Sequence, residues 1–376
     1  MKFLLIPDKF KGSLSAEEVI RTLENGILSA SPGSECFAVL ASDGGDGFLE
    51  AIARYKPVEK IVHSTSDPLG RELQANYLFN ARSAEAYVEL AQASGLVLLK
   101  ERERSALRSS TYGTGIQVRH AIEIGATTVY IGLGGSATND GGTGIARALG
   151  YRFLDNSGKE LAPRGENLIK MASINADGVS PGMKHVSLIA VNDVTNPLYG
   201  PEGAAHVYAA QKGATAVEIA KLDEGLRHLD SLVSRELGKK LAQIPGTGAA
   251  GGTSYGLRAF FGAAFLGGTQ FVLQMAGIPE LLRKHKIDFM LTGEGKIDRQ
   301  TLSGKLISGV LELGLQNQIP VIALCGKLEV GAEELKAAGI TDVIEVSERD
   351  RSLQYNMTHA KRLLHDAAYH YFKNRI

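Results

Sequence analysis

Lys2-Phe3-Leu4-Leu5-Ile6-Pro7-Asp8-Lys9-Phe10-Lys11-Gly12-Ser13-Leu14-Ser15-Ala16-Glu17-Glu18 opens the chain with a strand, a polar loop and the start of a helix. Residues 2–7 form a short apolar run closed by proline, and Ser15 followed three positions later by Glu18 has the form of a capping box. Val19, Ile20, Leu23, Ile27 and Leu28 then recur on one side, the spacing of an amphipathic helix laid on a sheet. A second strand over 36–41 runs into Ser42-Asp43-Gly44-Gly45-Asp46-Gly47, and a helix over 48–54 follows. This βαβα beginning predicts an open parallel sheet, with both Asp-bearing loops at strand C-termini, where such sheets bind ligands.

The last hundred residues repeat the pattern, with strands expected at 287–291, 321–325 and 343–346 and helices starting near 302, 332 and 355. The two chain ends therefore read as one α/β domain, 1–60 with 285–376, built on a doubly wound, Rossmann-like parallel sheet. Residues 61–284 read as an inserted second α/β domain with a mixed sheet. There, 73–79 and 86–90 form a hairpin, a helix spans 115–124, and strands cover 128–133 and 186–191.

Forty-one basic side chains balance 41 acidic ones, so no global positive field exists to collect nucleic acid. Cys36 and Cys325, far apart in apolar stretches, suggest neither a disulfide framework nor a cysteine metal site, and fit a reducing cytoplasm. The first six residues are too short for a signal-peptide core, and the apolar stretch 259–268 is too short to cross a bilayer. The compositional excess is glycine, 44 of 376 or about 12 %, against about 7 % on average. The glycines cluster beside Asp, Ser, Thr and Asn, which points to tight loops approaching a ligand and favours an enzyme.

Neither Gly304-Lys305-Leu306 nor Gly326-Lys327-Leu328 completes a P-loop. Gly246-Thr247-Gly248-Ala249-Ala250-Gly251 matches the dinucleotide pattern but follows a helix and Pro245, not a strand. The nine histidines show no zinc-hydrolase spacing. Ile131-Gly132-Leu133-Gly134-Gly135-Ser136-Ala137-Thr138-Asn139-Asp140-Gly141-Gly142-Thr143-Gly144 is the most informative segment, a strand emptying into a glycine-rich loop before a helix. Its backbone N–H groups suit an anion-binding nest for phosphate; the competing reading is a tight strand-to-helix turn. Carboxylates recur at other strand ends: Asp8 with Lys9 and Lys11, Asp43 with Asp46, Asp193, and Glu294 with Asp298. Each alone is a common turn residue, but together they suggest Mg²⁺ held beside phosphates, and with the lysines and the nest they spell phosphoryl transfer.

With Asp43-Gly44-Gly45-Asp46-Gly47, Thr111-Tyr112-Gly113-Thr114-Gly115, Gly134 to Gly142, Asp193-Val194-Thr195-Asn196-Pro197-Leu198, Gln211-Lys212-Gly213-Ala214 and Thr292-Gly293-Glu294-Gly295-Lys296-Ile297-Asp298 added to the 7–14 segment, the chain resembles the type I glycerate kinase family over nearly its whole length. Asp46 and Phe48 depart from that family's pattern, which more often has Glu and Thr there, and Lys296 stands where Arg is also common. The resemblance implies ATP-dependent, Mg²⁺-assisted phosphorylation of D-glycerate, with 2-phosphoglycerate the favoured product. It also implies a cytoplasmic protein of two α/β domains with the active site in the cleft between them. On this reading Gly134, Gly135, Ser136, Thr138, Asn139, Asp140, Gly141 and Gly142 hold the ATP phosphates, and Glu294 and Asp298 hold the metal. Lys11 meets the glycerate carboxylate, and Asp193 is the general base, with Asp43 and Asp8 as rival assignments. A kinase for another small hydroxy acid, and a catalytically silent sensor, are the alternatives; the oligomeric state stays open.

Overall fold

The computed structural model describes every residue except Asp43, Asp46, 299–305, Asn374 and Ile376. Its chain divides into two units, one made of Met1–Ser42 with Thr269–Ile376 and the other of Asp43–Gly268. The sequence-based seams at 60/61 and 284/285 thus fall inside these units. Residues 43–60 go with the second unit because helix Phe48–Tyr55 packs on strand Glu85–Glu89 and strand Glu59–Ser66 pairs with Glu72–Asn80.

In the first unit five strands form an all-parallel sheet in the order Asp342–Glu345, Val321–Leu328, Phe289–Ile297, Lys2–Leu5, Glu35–Ala38. Numbered along the chain this is the order 2-1-3-4-5, whose direction reverses between Lys2–Leu5 and Phe289–Ile297; that is where such sheets bind ligands. The expected capping box is present: Glu18 N–H donates to Ser15 Oγ at 3.2 Å, and Ser15 N–H donates to the Glu18 carboxylate at 2.8 Å. Helix Ala16–Ala30 consequently starts in one register, and it buries Val19, Leu23 and Ile27 against Phe3, Leu5, Leu291 and Ile322. Helix Ala360–Lys373 adds Leu364, Ala368 and Phe372 to the same core. Because side chains alternate across a strand, Leu4, Met290 and Ala323 point to the other face. All three are fully buried, and helix Leu306–Asn317 lies against their strands. Leu4 and Met290, taken wholly from water, contribute about 1.5–3 kcal/mol each before the cost of chain entropy.

The second unit carries a mixed six-stranded sheet in the order Ala264–Leu266, Ser187–Val191, Thr128–Gly132, Glu85–Glu89, Glu72–Asn80, Glu59–Ser66. The first four are mutually parallel and the last two add as an antiparallel meander, which includes the expected hairpin. Helix Tyr112–Glu123 begins three residues earlier than its apolar pattern suggested, and Val118 and Ala121 join Val88, Val129 and Ile131 in the core. The Gly246–Gly251 segment makes no dinucleotide turn. Helix Ala216–Leu237 precedes it, and its last three residues open a kinked helix, Ala249–Phe261. Its glycines serve packing: a methyl group at Gly251 would lie 2.1 Å from Thr138 O. Only bare backbone lets this helix seat itself under the glycine-rich loop.

Candidate active site

At the reversal point of the first sheet the chain continues past Leu5 beside its neighbour strand. Ile6 N–H donates to Leu291 O and Asp8 N–H to Gly293 O, each at 2.8 Å. The half-buried Asp8 is thereby brought beside the Gly293–Glu294 backbone, and its carboxylate accepts from Lys9 N–H at 2.7 Å. Phe10 to Leu14 close a tight turn that presents Lys11 to solvent, and a methyl at Gly295 would lie 3.2 Å from Lys11 N. Glu294 differs from expectation: it lies within a strand, opposite Cys325, not in a loop after residue 291. Pairing with the eight-residue strand Val321–Leu328 overrides the flanking glycines. Asp298 follows that strand, and Lys296 Nζ bridges the Asp298 carboxylate at 2.9 Å and Glu329 at 3.2 Å. Asp8, Lys11, Glu294 and Asp298 thus occupy one edge of this sheet.

The second unit assembles its own edge at the C-termini of its parallel strands. Gly134 N–H donates to Gly44 O at 3.1 Å, and Leu133 N–H donates to Val191 O at 3.1 Å. A methyl at Gly134 would sit 2.1 Å from Gly45 Cα, so the Gly44–Gly45 turn and the glycine-rich loop touch through backbone alone. Asp193 lies two residues beyond Val191, half-buried, after Asn192 N–H has bonded Leu266 O at 3.0 Å and Asn192 Oδ1 has accepted Val194 N–H at 3.0 Å. Asp43, the rival base, lies outside the described residues.

Within the loop the candidates separate into two groups. Gly134 and Gly135 are the open tip, half-buried and exposed respectively, and Gly135 has φ +71°. Ser136, Thr138, Asn139, Asp140, Gly141 and Gly142 are buried. Asp140 points inward: its Oδ2 accepts from Thr111 N–H and Oγ–H at 2.8 Å each and from Gly144 N–H at 3.2 Å, while Oδ1 accepts from Gly142 N–H at 3.1 Å. The chain's own carboxylate therefore occupies the N-terminus of the six-residue helix Thr143–Ala148, where an anion was expected. Burial pushes the Asp140 pKa above the usual carboxylate value, against those hydrogen bonds, which pull it down.

Lys212, quoted in the sequence only as part of a family block, was given no role there. It ends the short turn Ala210–Lys212, is 3 % exposed, and its Nζ donates to Ser136 Oγ at 2.7 Å and to Thr138 O at 2.8 Å. Burial pulls its pKa down to about 7, with the Asp140 charge opposing. The available signal was a lone lysine set in Ala209-Ala210-Gln211-Lys212-Gly213-Ala214, where nothing else is charged.

No group of three or more His, Cys, Asp or Glu side chains suited to a metal occurs among the described residues. Magnesium needs no such cage, since it commonly takes one or two carboxylates and completes its shell with phosphate and water. Glu294 and Asp298 fit that lesser demand, Asp298 with Lys296 already on one oxygen.

Two α/β units whose strand ends carry acids, a lysine-backed glycine loop and no P-loop define a small-molecule phosphotransferase outside the P-loop class. The sequence profile of the glycerate kinase family matches residues 3–374. A glycerate kinase of Halalkalibacterium halodurans is 40 % identical over 97 % of this chain and 96 % of the relative. A glycerate 2-kinase of Escherichia coli is 36 % identical over 92 % and 90 %. A crystal structure of a candidate glycerate kinase 2 from Salmonella typhimurium superposes with a TM-score of 0.81 at 34 % identity, covering 100 % of this chain and 98 % of that one. The chain belongs to the glycerate kinase family, whose reaction is the phosphorylation of glycerate by ATP. No described helix is long and apolar enough to cross a membrane.

Proposed function

We propose that this chain transfers the γ-phosphoryl group of ATP to the 2-hydroxyl of D-glycerate, releasing ADP and 2-phosphoglycerate, and that it works in the cytoplasm. The observation that carries the reading is the open Gly134–Gly135 tip at the end of a parallel strand, with a buried lysine bonded to the next residue. The regiochemistry rests on the likeness to the relative named glycerate 2-kinase.

In this mechanism the backbone N–H of Gly135 at the open tip and the Ser136 hydroxyl face the ATP phosphates, Gly134 N–H being held by Gly44 O. Lys11 draws in the glycerate carboxylate as an exposed point charge. The Asp193 carboxylate accepts the proton of the 2-hydroxyl as the oxygen–phosphorus bond forms. The bond from the γ-phosphorus to the β–γ bridging oxygen breaks, and ADP leaves with that electron pair. Because the transition state is loose, Asp193 contributes mainly by orienting the nucleophile and needs no unusual pKa. Bound Mg²⁺ supplies charge neutralisation on the phosphate oxygens; Glu294 and Asp298 are the residues assigned to it. Asp8 and Asp43 are the alternative bases.

Phosphorus NMR of the products formed from D- and L-glycerate tests the reading. The expected result is a single phosphomonoester, 2-phosphoglycerate, from the D-enantiomer. A 3-phosphoglycerate signal would move the transfer to the other hydroxyl. Turnover with a different hydroxy acid but not with glycerate would replace the substrate, and no ATP consumption with either would leave a sensor.

A further inference from the structure

Lys212 places an ammonium-bearing side chain in the interior of the second unit, and its surroundings compensate the charged form poorly. An ammonium group has three donors; Ser136 Oγ and Thr138 O, both neutral, take two of them. The carboxylate whose charge reaches it, Asp140, is already held by Thr111, Gly142 and Gly144. Arg104 passes beside this turn through its backbone and Cβ, a methyl at Gly213 lying 2.4 Å from Arg104 O and 3.0 Å from its Cβ, and as a basic residue it brings no counter-charge. Thr138 Oγ1 and both amide atoms of Asn139 are buried with no hydrogen-bond partner among the described residues, as is Arg104 Nε. Burying a charge this way is costly unless a counter-charge arrives. One residue before Ser136, the loop opens to solvent at Gly135.

We propose that Lys212 is a positioning residue for the phosphate loop, holding Ser136 and Thr138 from beneath so that the Gly134–Gly135 tip receives the anionic phosphates of the nucleotide. This rests on the reading that the tip takes the phosphates, and adds to it the source of the loop's positive field. In a low-dielectric interior that field is little screened, so an incoming phosphate supplies a counter-charge to the lysine without touching it. Phosphate binding then favours the protonated lysine. The pKa near 7 makes the prediction directional, because nucleotide affinity weakens as pH rises through that value.

Equilibrium binding of ADP to the full-length protein, with adenosine as the phosphate-free control, tests the proposal. Lys212→Met is expected to weaken ADP by about 10- to 100-fold, the scale of one charge-assisted interaction, and to leave adenosine unchanged. Lys212→Arg, charged at every pH used, is expected to retain most ADP affinity and to lose the wild-type decline between about pH 6.5 and 8.5. If Lys212→Met does not fold, the wild-type pH dependence and its loss in Lys212→Arg carry the test. Unchanged ADP affinity in Lys212→Met, equal losses of ADP and adenosine, or the same pH dependence in wild type and Lys212→Arg each overturn the proposal. Gly135→Val separates the two readings. If it loses ADP while Lys212→Met keeps it, the phosphate loop stands and the lysine falls; if neither loses ADP, the phosphate loop itself falls.

Discussion

Replacing Asp140 by Asn removes one charge with almost no change in shape, and the hydrogen bonds around the carboxylate set the cost. Placing the amide oxygen at the Oδ2 position keeps the Thr111 N–H, Thr111 Oγ–H and Gly144 N–H bonds, but the amide nitrogen then faces Gly142 N–H. Turning the amide over is worse, because three donors then face a donor. Thr111 Oγ cannot easily reverse its role, since it also accepts from Ile145 N–H at 3.1 Å. One buried N–H left without an acceptor costs about 1–3 kcal/mol, and weakening three charge-assisted bonds to neutral ones adds a smaller amount for each. The sum is about 3–5 kcal/mol, a large share of an ordinary domain's stability. For a unit of this size that lowers the melting temperature by about 6–20 °C. Thermal unfolding followed by circular dichroism, with ATP kinetics below the transition, measures it. A drop of less than about 2 °C would refute the claim that this carboxylate is the keystone joining the 110–111 and 138–144 segments.

Asp193→Asn is expected to lower turnover by about 100-fold with ATP binding largely retained, and near-normal turnover in the folded variant would move the base to Asp8 or Asp43. Glu294→Gln is expected to raise the Mg²⁺ concentration for half-maximal rate; an unchanged magnesium dependence would remove it from the metal's surroundings. Lys212 has its folded pKa pulled down to about 7 from an unfolded value near 10.5. Between those values the unfolded chain binds the extra proton, so unfolding free energy should rise with pH over that window relative to Lys212→Met. Parallel urea titrations at about pH 7 and 9.5 would show equal differences if the lysine does not titrate there.

What was legible in the sequence was whatever local chemistry specifies. The Ser15–Glu18 cap, the apolar face of the first helix and the strand at Thr128–Gly132 leading into a glycine loop all follow from spacing within about a dozen residues. Glu294 was read as a loop residue because glycines flank it, but strand pairing is decided by a partner far along the chain. Asp140 was grouped with the phosphate-holding residues because it sits in the glycine-rich loop read as an anion nest. Its inward turn depends on Thr111, 29 positions away. Lys212 lies 76 positions from Ser136, and no local rule says that a lysine will be carried indoors. The Thr111-Tyr112-Gly113-Thr114-Gly115 block, quoted as a family mark, gains a physical reason from that Thr111–Asp140 contact.

The first unit is closed by strands from opposite ends of the chain, and on the ribosome this becomes a matter of timing. Lys2–Leu5 leaves the exit tunnel well before its neighbour Phe289–Ile297, which follows roughly 280 residues later, after the whole of the second unit. At about 5–20 residues per second that is a wait of roughly 14–56 s. Meanwhile Phe3, Leu5, Val19 and Leu23 lack the later strands and the C-terminal helix that cover them in the finished protein. The second unit is contiguous and is the part able to fold first, so nascent chains stalled between the units should expose a sticky amino-terminal hairpin of strand and helix. Chaperone demand should peak there and fall once the last hundred residues emerge.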